Sequence, residues 1–242
     1  MKNSMTKQKS YDYNTIPIGF YDQIFSRKSG IRSAWHYIKF SFLKSKISKN
    51  NYHLDIGCGP GTFIGFLQTK KSVGVDISKK QIDYANKLYK KKNKKFIKMK
   101  KNNIPFKKNS FDSISMIELI EHLPKGEILK LINESHTKMK PGGKLYITTP
   151  NYRSIWPLLE LIVNLSSEVS YEDQHITKLN KKKLLDLIDL KKFKVTNIST
   201  YIFLSPFLAF FSFRLAISFL KIDNFLTYFF PGHSIYLELE KI

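Results

Sequence analysis

His53-Leu54-Asp55-Ile56-Gly57-Cys58-Gly59-Pro60-Gly61-Thr62 decides how this chain is read. A short apolar run leads into three alternating glycines, and an amphipathic stretch follows (Phe63, Ile64, Phe66, Leu67). The order predicts strand, tight turn and helix. Glycine lets the turn adopt backbone angles that a Cβ forbids and lets a ligand press against the main chain. The start of the helix offers unpaired amide donors at the same place. Asp76 closes a second apolar run, Ser72-Val73-Gly74-Val75, 19 residues after Gly57. An acid at the tip of a second strand is placed to accept both hydroxyls of a ribose. A nucleoside-containing ligand is the first inference.

The turn is Gly-x-Gly-x-Gly, with Thr62 where the dinucleotide pattern would carry its third glycine. The Gly-Lys-Ser/Thr ending of a phosphate loop is absent.

Together these residues resemble class I S-adenosylmethionine-dependent methyltransferases of the small-molecule type. Asp55–Gly61 is similar to their first motif, and Gly74-Val75-Asp76-Ile77-Ser78 to their second-strand motif. Ile104-Pro105-Phe106 and Asn109-Ser110-Phe111-Asp112 resemble the approach to the fourth strand, and Glu118-Leu119-Ile120-Glu121-His122-Leu123 the segment after it. Lys140-Pro141-Gly142-Gly143-Lys144-Leu145 resembles the turn into the fifth strand, and Thr149-Pro150-Asn151 its exit. The motifs run in order over residues 51–200.

The length of 242 residues suits one domain, or one domain with an insertion. Cys58 is the only cysteine, which excludes an internal disulfide and fits a reducing, cytoplasmic setting. In the glycine turn it reads as small packing rather than a nucleophile. The first ten residues are polar and Lys-rich, read as disordered, and carry no signal-peptide pattern. The net charge of +22 suits nucleic acid or an anionic membrane. Only four of the basic residues are arginine, the residue that base readout favours, so nucleic acid is disfavoured without being excluded. The densest run, Lys90–Lys95, falls in a helix-to-strand connection and reads as a solvated loop.

Strands are expected at 52–56, 72–76, 96–99, 111–117, 145–149, 193–200 and 234–240. Helices are expected at 31–47, 81–90 (capped by Ser78), 126–137 and 180–188, with 11–25 irregular. Alternation of this kind implies α/β architecture, a doubly wound and mostly parallel sheet with helices on both faces. The resemblance adds a seven-stranded sheet whose last strand is antiparallel, and an N-terminal helical cover over the cofactor. Residues 1–50 are therefore read as tail and cap, and 51–242 as the S-adenosylmethionine-binding domain.

An apolar helical insert, about 201–233, precedes the last strand. Leu208, Phe211, Leu215 and Phe219 share one helical face, with a narrower polar stripe of Arg214, Ser218 and Lys221. Three readings stay open: a membrane span, disfavoured by Pro206 and Arg214; plain core; or a lid that takes a lipid-like acceptor or makes peripheral membrane contact through 201–230.

The resemblance implies S-adenosylmethionine as cofactor. It sets the turn of Gly57, Cys58, Gly59 and Gly61 against the methionine part, with Asp55 ordering the turn or accepting from the amino group. Asp76 would bind the ribose with Ile77 beside it, and Ile117 and Glu118 would line the methionine pocket. Relatives carry an acid toward the adenine amine where this chain has Lys100; Asn102 offers an acceptor instead. Tyr21, His36 and Lys39 are within reach of the cofactor carboxylate, although a surface role suits each better.

Methyl transfer needs an acceptor held in line with the methyl, and a hydroxyl acceptor needs a base. His122, just past the fourth strand, and His175, in the connection after the fifth, are the candidate bases. No metal site is expected: Glu118, Glu121 and His122 have i, i+3, i+4 spacing, but the set is short and transfer to a hydroxyl does not demand a metal. The leading expectation is a methyltransferase for a small, apolar or lipid-linked acceptor, with a hydroxyl as the group methylated. An RNA methyltransferase and a non-catalytic scaffold at the membrane surface are the alternatives.

Overall fold

The computed structural model describes residues 16–101, 103–165 and 174–242. The 1–10 tail and Asn102 lie outside the described residues. Among the described residues seven strands form one sheet: β1 (Tyr52–Ile56), β2 (Lys71–Asp76), β3 (Lys94–Lys98), β4 (Phe111–Ile117), β5 (Met139–Pro150), β6 (Phe193–Tyr201) and β7 (Ser234–Lys241). Their order is β3-β2-β1-β4-β5-β7-β6. β1 to β5 pair in parallel. β7 runs antiparallel between β5 and β6. The chain reverses its direction of travel across the sheet between β1 and β4, so a crevice opens at their C-terminal ends.

The helices are α1 (Phe20–Ser26), α2 (Gly30–Lys46), α3 (Thr62–Phe66), α4 (Lys79–Tyr89), α5 (Lys125–Lys138), α6 (Trp156–Leu165), α7 (Lys181–Leu185) and, in the insert, α8 (Ser205–Leu208), α9 (Phe213–Ser218) and α10 (Leu220–Leu226). Ile128, Leu131 and Ile132 of α5 and Leu184 of α7 pack on one face of the sheet with Leu54, Val73 and Met116. Ala34, Ile38 and Leu43 of α2, Phe63 of α3 and Ile82 of α4 pack on the other, with Tyr146 and Tyr236. A strand buried on both faces is apolar throughout, as Val73–Val75 is; β1 departs from this at His53 and Asp55. Ser78 caps α4 by accepting the Gln81 amide.

Two stretches differ from the sequence reading. Residues 20–26 are helical rather than irregular, and Asp22 of α1 is buried. The insert is helical as expected, but its shared face is divided among three short helices. Asp223 fixes the entry to α8: the buried carboxylate accepts the amides of Phe203, Leu204 and Ser205, at 3.0, 2.6 and 3.0 Å. Ser212 starts α9 afresh by accepting the Leu215 amide. The insert packs on α2, with Phe213 edge-on to Tyr37 at 5.5 Å and Phe42 stacked on Tyr201 at 4.5 Å. Its expected inner face is broken: Phe211 is 77% and Leu215 46% exposed. Among the described residues no helix is long and apolar enough to cross a membrane.

Candidate functional site

A cavity of about 800 Å³ lies at the C-terminal ends of β1, β2 and β4, roofed by α1 and α2. The glycine turn forms its floor. Gly57, Gly59 and Gly61 all have positive φ (72°, 50° and 79°). At Gly59 a Cβ would point into open space, so this position presents bare backbone to a ligand. Gly61 lies behind the turn instead. There a Cβ would come within 2.6 Å of Phe96 and 2.7 Å of Ala85, so this glycine serves helix packing rather than lining the cavity.

The turn amides are used inside the protein rather than offered to a ligand. Those of Gly57 and Cys58 donate to the Val75 carbonyl at 2.8 and 3.1 Å, and that of Gly61 to the Cys58 carbonyl at 2.9 Å. The Gly59 amide donates to Oδ2 of Asp76 at 2.8 Å. The turn therefore contributes close approach, and its polar contacts come from the acids around it.

Asp76 also accepts the Ser78 amide at 2.8 Å on Oδ1. Each carboxylate oxygen keeps a second lone pair for a hydroxyl. Burial raises the Asp76 pKa against the pull of those amides. Asp55 is buried at the end of β1 and accepts the Ser115 hydroxyl at 2.6 Å. Burial pushes its pKa up to about 7, opposed by Ser115 and reinforced by Asp76. Cys58 is buried beside them, and burial drives its thiol well above the ordinary range. Ile77, 45% exposed, and Met99 line the far end. Lys101 lines it too and pairs with Glu127 at 2.7 Å; Lys100 is exposed and away from the cavity.

Ile117 and Glu118 reach the cavity from the end of β4. Glu118 has φ +48°, an unusual angle for a residue with a side chain, and its amide donates to the Thr148 carbonyl at 3.0 Å. Its Oε2 lies 3.8 Å from Lys39 Nζ. Lys39 is buried rather than on the surface, and Tyr21 and His36 also line the cavity, their rings 5.6 Å apart.

His122 and His175, far apart in sequence, meet at the other end, with ring centroids 5.0 Å apart. His122 Nδ1 donates to the Gln174 carbonyl at 3.0 Å in the tautomer that satisfies that oxygen. Burial, then His175, lowers its pKa to about 3. His175 Nδ1 contacts the Glu160 carboxylate closely and the Tyr152 hydroxyl at 2.8 Å. Tyr152 donates to the same carboxylate at 2.9 Å. Glu121, fully buried, accepts the Thr149 hydroxyl on Oε2 at 3.1 Å, and burial raises its pKa well above normal. Glu160 gave no signal in the sequence, because it sits in α6, a nearly continuous apolar run without readable periodicity. Trp35, Trp156, Phe207 and Leu159 wall this end.

A family model described as a methyltransferase domain matches residues 32–197, from within α2 to within β6. No curated protein matches significantly. Among solved structures the chain is similar to a SAM-dependent methyltransferase of Thermotoga maritima, at 18% identity and TM-score 0.65, covering 92% of this chain and 95% of that one. It is similar to the methyltransferase in a complex with the Trm112 methyltransferase activator of Haloferax volcanii, at 13% identity and TM-score 0.63, covering 94% and 99%. An S-adenosylmethionine-dependent methyltransferase of Mesorhizobium loti has 14% identity and TM-score 0.61, covering 84% and 97%. The fold is shared with all three. With the family model matching over half its length, the chain belongs to the methyltransferase domain family, and its cofactor is S-adenosylmethionine.

Proposed function

We propose that this methyltransferase acts on a small apolar acceptor through a hydroxyl. The observation that carries the reading is the two-ended cavity, with carboxylates at one end and a histidine pair inside an aromatic wall at the other. In this reading Asp76 takes the ribose hydroxyls, with Ile77 against the adenine. Asp55 faces the amino group of the methionine part, with Lys39 and Glu118 close by. Cys58 and Gly59 lie under the sulfonium, and Gly57 and Ile117 complete the methionine wall.

The acceptor would lie against Trp35 and Trp156, whose rings touch with centroids 5.3 Å apart, with its hydroxyl toward His122 and His175. The two histidines hold that oxygen and provide for loss of its proton. As the O–CH3 bond forms, the S–CH3 bond breaks, giving a methyl ether, S-adenosylhomocysteine and one proton. Positioning supplies most of the rate, because the sulfonium is already a good leaving group.

The exposed side of the insert supports delivery of this acceptor from an anionic membrane surface. Phe210, Phe211, Phe225, Tyr228 and Phe229 are each 59–85% exposed. Arg27, Lys28 and Arg32 line a groove shared with Phe210 and Phe211. Aromatic side chains flanked by cations suit the headgroup region of such a bilayer.

The test is titration with S-adenosylmethionine and S-adenosylhomocysteine, followed by turnover with phenolic and polyprenyl hydroxyl acceptors. Wild type should bind both cofactor forms and release S-adenosylhomocysteine, and Asp76→Ala should bind at least about tenfold more weakly. Equal heats for the two proteins would remove the ribose assignment. Flotation with anionic vesicles should be lost on changing Phe210, Phe211 and Phe229 to Ser; unchanged flotation would remove the membrane reading.

A further inference from the structure

The acceptor end of the cavity holds more polar chemistry than a proton acceptor needs. Among the described residues, Glu121, His122 and His175 each offer a ligand atom, and the three atoms lie within 4.8 Å of one another. They come from two separate segments. Glu121 and His122 belong to a single turn after β4, Ile120–His122, and His175 to the connection after α6. The Thr177 amide pins that connection to the turn by donating to the Glu121 carbonyl at 2.9 Å.

Glu121 Oε1 is buried and has no hydrogen-bond partner among the described residues, although the other oxygen of the same carboxylate is bonded. A buried carboxylate oxygen left this way is costly without a counter-group. The histidines are oriented from behind. His122 directs Nδ1 at a backbone carbonyl, and His175 directs Nδ1 at the Glu160 carboxylate. Metal-bound imidazoles are held this way, by a carbonyl or carboxylate on the nitrogen away from the ion.

We propose that Glu121, His122 and His175 form a site for a divalent first-row transition cation, open on its cavity side to the oxygen of the acceptor. The two imidazoles favour an ion such as Zn²⁺, Mn²⁺ or Co²⁺ over Mg²⁺ or Ca²⁺, which take mainly oxygen ligands. Each histidine offers one ring nitrogen and Glu121 one carboxylate oxygen, which together make a three-residue face. A bound cation there lowers the pKa of a coordinated hydroxyl, so the acceptor's proton leaves to solvent as its oxygen is held for attack on the methyl. Glu160 is then a positioning residue, acting through His175. This proposal rests on the placing of the acceptor hydroxyl beside the two histidines.

The experiment is titration of the metal-free full chain with Co²⁺, followed by calorimetry and visible absorption. One Co²⁺ per chain is expected, with ligand-field bands. Glu121→Gln and His175→Ala should each weaken binding at least about 100-fold, and Glu160→Gln about 10- to 100-fold. S-adenosylhomocysteine binding serves as the folding control. If one variant fails that control, His122→Gln takes its place with the same expectation. Co²⁺ binding that survives the ligand substitutions, or no binding by wild type at millimolar Co²⁺, would overturn the site. Equal competition by Mg²⁺ would overturn its transition-metal character. Loss of cofactor binding with Co²⁺ binding intact would count against the cofactor reading and leave the cation site standing.

Discussion

Asp22, in α1, accepts the hydroxyl of Thr62, the first residue of α3, at 2.8 Å. The same buried carboxylate accepts the hydroxyls of Tyr84, at 3.0 Å, and of Tyr89. One side chain thereby fastens the N-terminal roof to both the glycine turn and α4. Asp22→Ala should cost about 2–3 kcal/mol of stability, the range for buried donors losing a charged acceptor. It should also weaken S-adenosylhomocysteine binding. Urea unfolding and calorimetry check the two effects, and unchanged values would show the roof to be held by apolar contact alone.

Asp55 should report cofactor binding as proton release. Its pKa, raised to about 7 mainly by burial, keeps it largely protonated at pH 6. An ammonium group brought against it favours the ionised form. Calorimetry at pH 6 in buffers of different ionisation enthalpy should therefore show release of up to about one proton per S-adenosylmethionine bound. The release should vanish near pH 8.5 and in Asp55→Asn. Release that persists in Asp55→Asn would place the amino group elsewhere.

His53 should steepen acid unfolding. Its ring is buried between Ser113 Oγ at 2.8 Å and Ser115 Oγ at 3.0 Å. Burial lowers its pKa from 6.5 to about 3. Between those values the unfolded chain binds the extra proton, so stability is full above the unfolded pKa and falls as pH drops toward the folded one. The slope from this one residue approaches about 1.4 kcal/mol per pH unit. His53→Gln should flatten the profile between about pH 4 and 6 by up to that amount. An unchanged slope would mean that the ring does not enter the folded state neutral.

Asp223 should hold the insert together. Asp223→Ala strands three backbone amides, two of them on residues that lead into α8. We expect the insert to open locally at a cost of about 3–5 kcal/mol, the penalty for unsatisfied buried donors to a charged acceptor. Proteolysis within 204–230 should accelerate while cofactor binding is kept, since neither Asp223 nor its amide donors line the cavity. Protection equal to wild type would assign the insert's order to its packing on α2 instead.

The strands were legible where a short apolar run such as Val73–Val75, or alternating apolar residues such as Ile235, Leu237 and Leu239, lies between turn signals, and β1, β4 and the acids at their ends fall where the motifs put them. β5 begins at Met139, earlier than its apolar core predicts, because Met139 pairs with Phe111 ahead of an irregularity at Pro141-Gly142-Gly143, where Gly142 turns with φ +70° before the ladder resumes at Lys144. Lys39 read as a surface lysine because helical spacing shows only neighbours along the helix. Its partner Glu118 arrives through the fold. The same limit hid the link from Glu160 to His175. The insert was least legible: its periodicity puts Leu208, Phe211, Leu215 and Phe219 on one helical face, but the cap at Ser212 divides that helix and leaves Phe211 outward.

The insert leaves the sheet at Tyr201 and returns at Ser234, and these two residues face each other across the β6–β7 ladder. Its two roots are therefore already joined, and the span between them contributes only a slowly growing closure entropy. Segments of other lengths and compositions can be grafted there without shifting any strand register. Under the proposed reading, the surface that meets the acceptor can thus be exchanged while the half that would hold the nucleoside stays as it is.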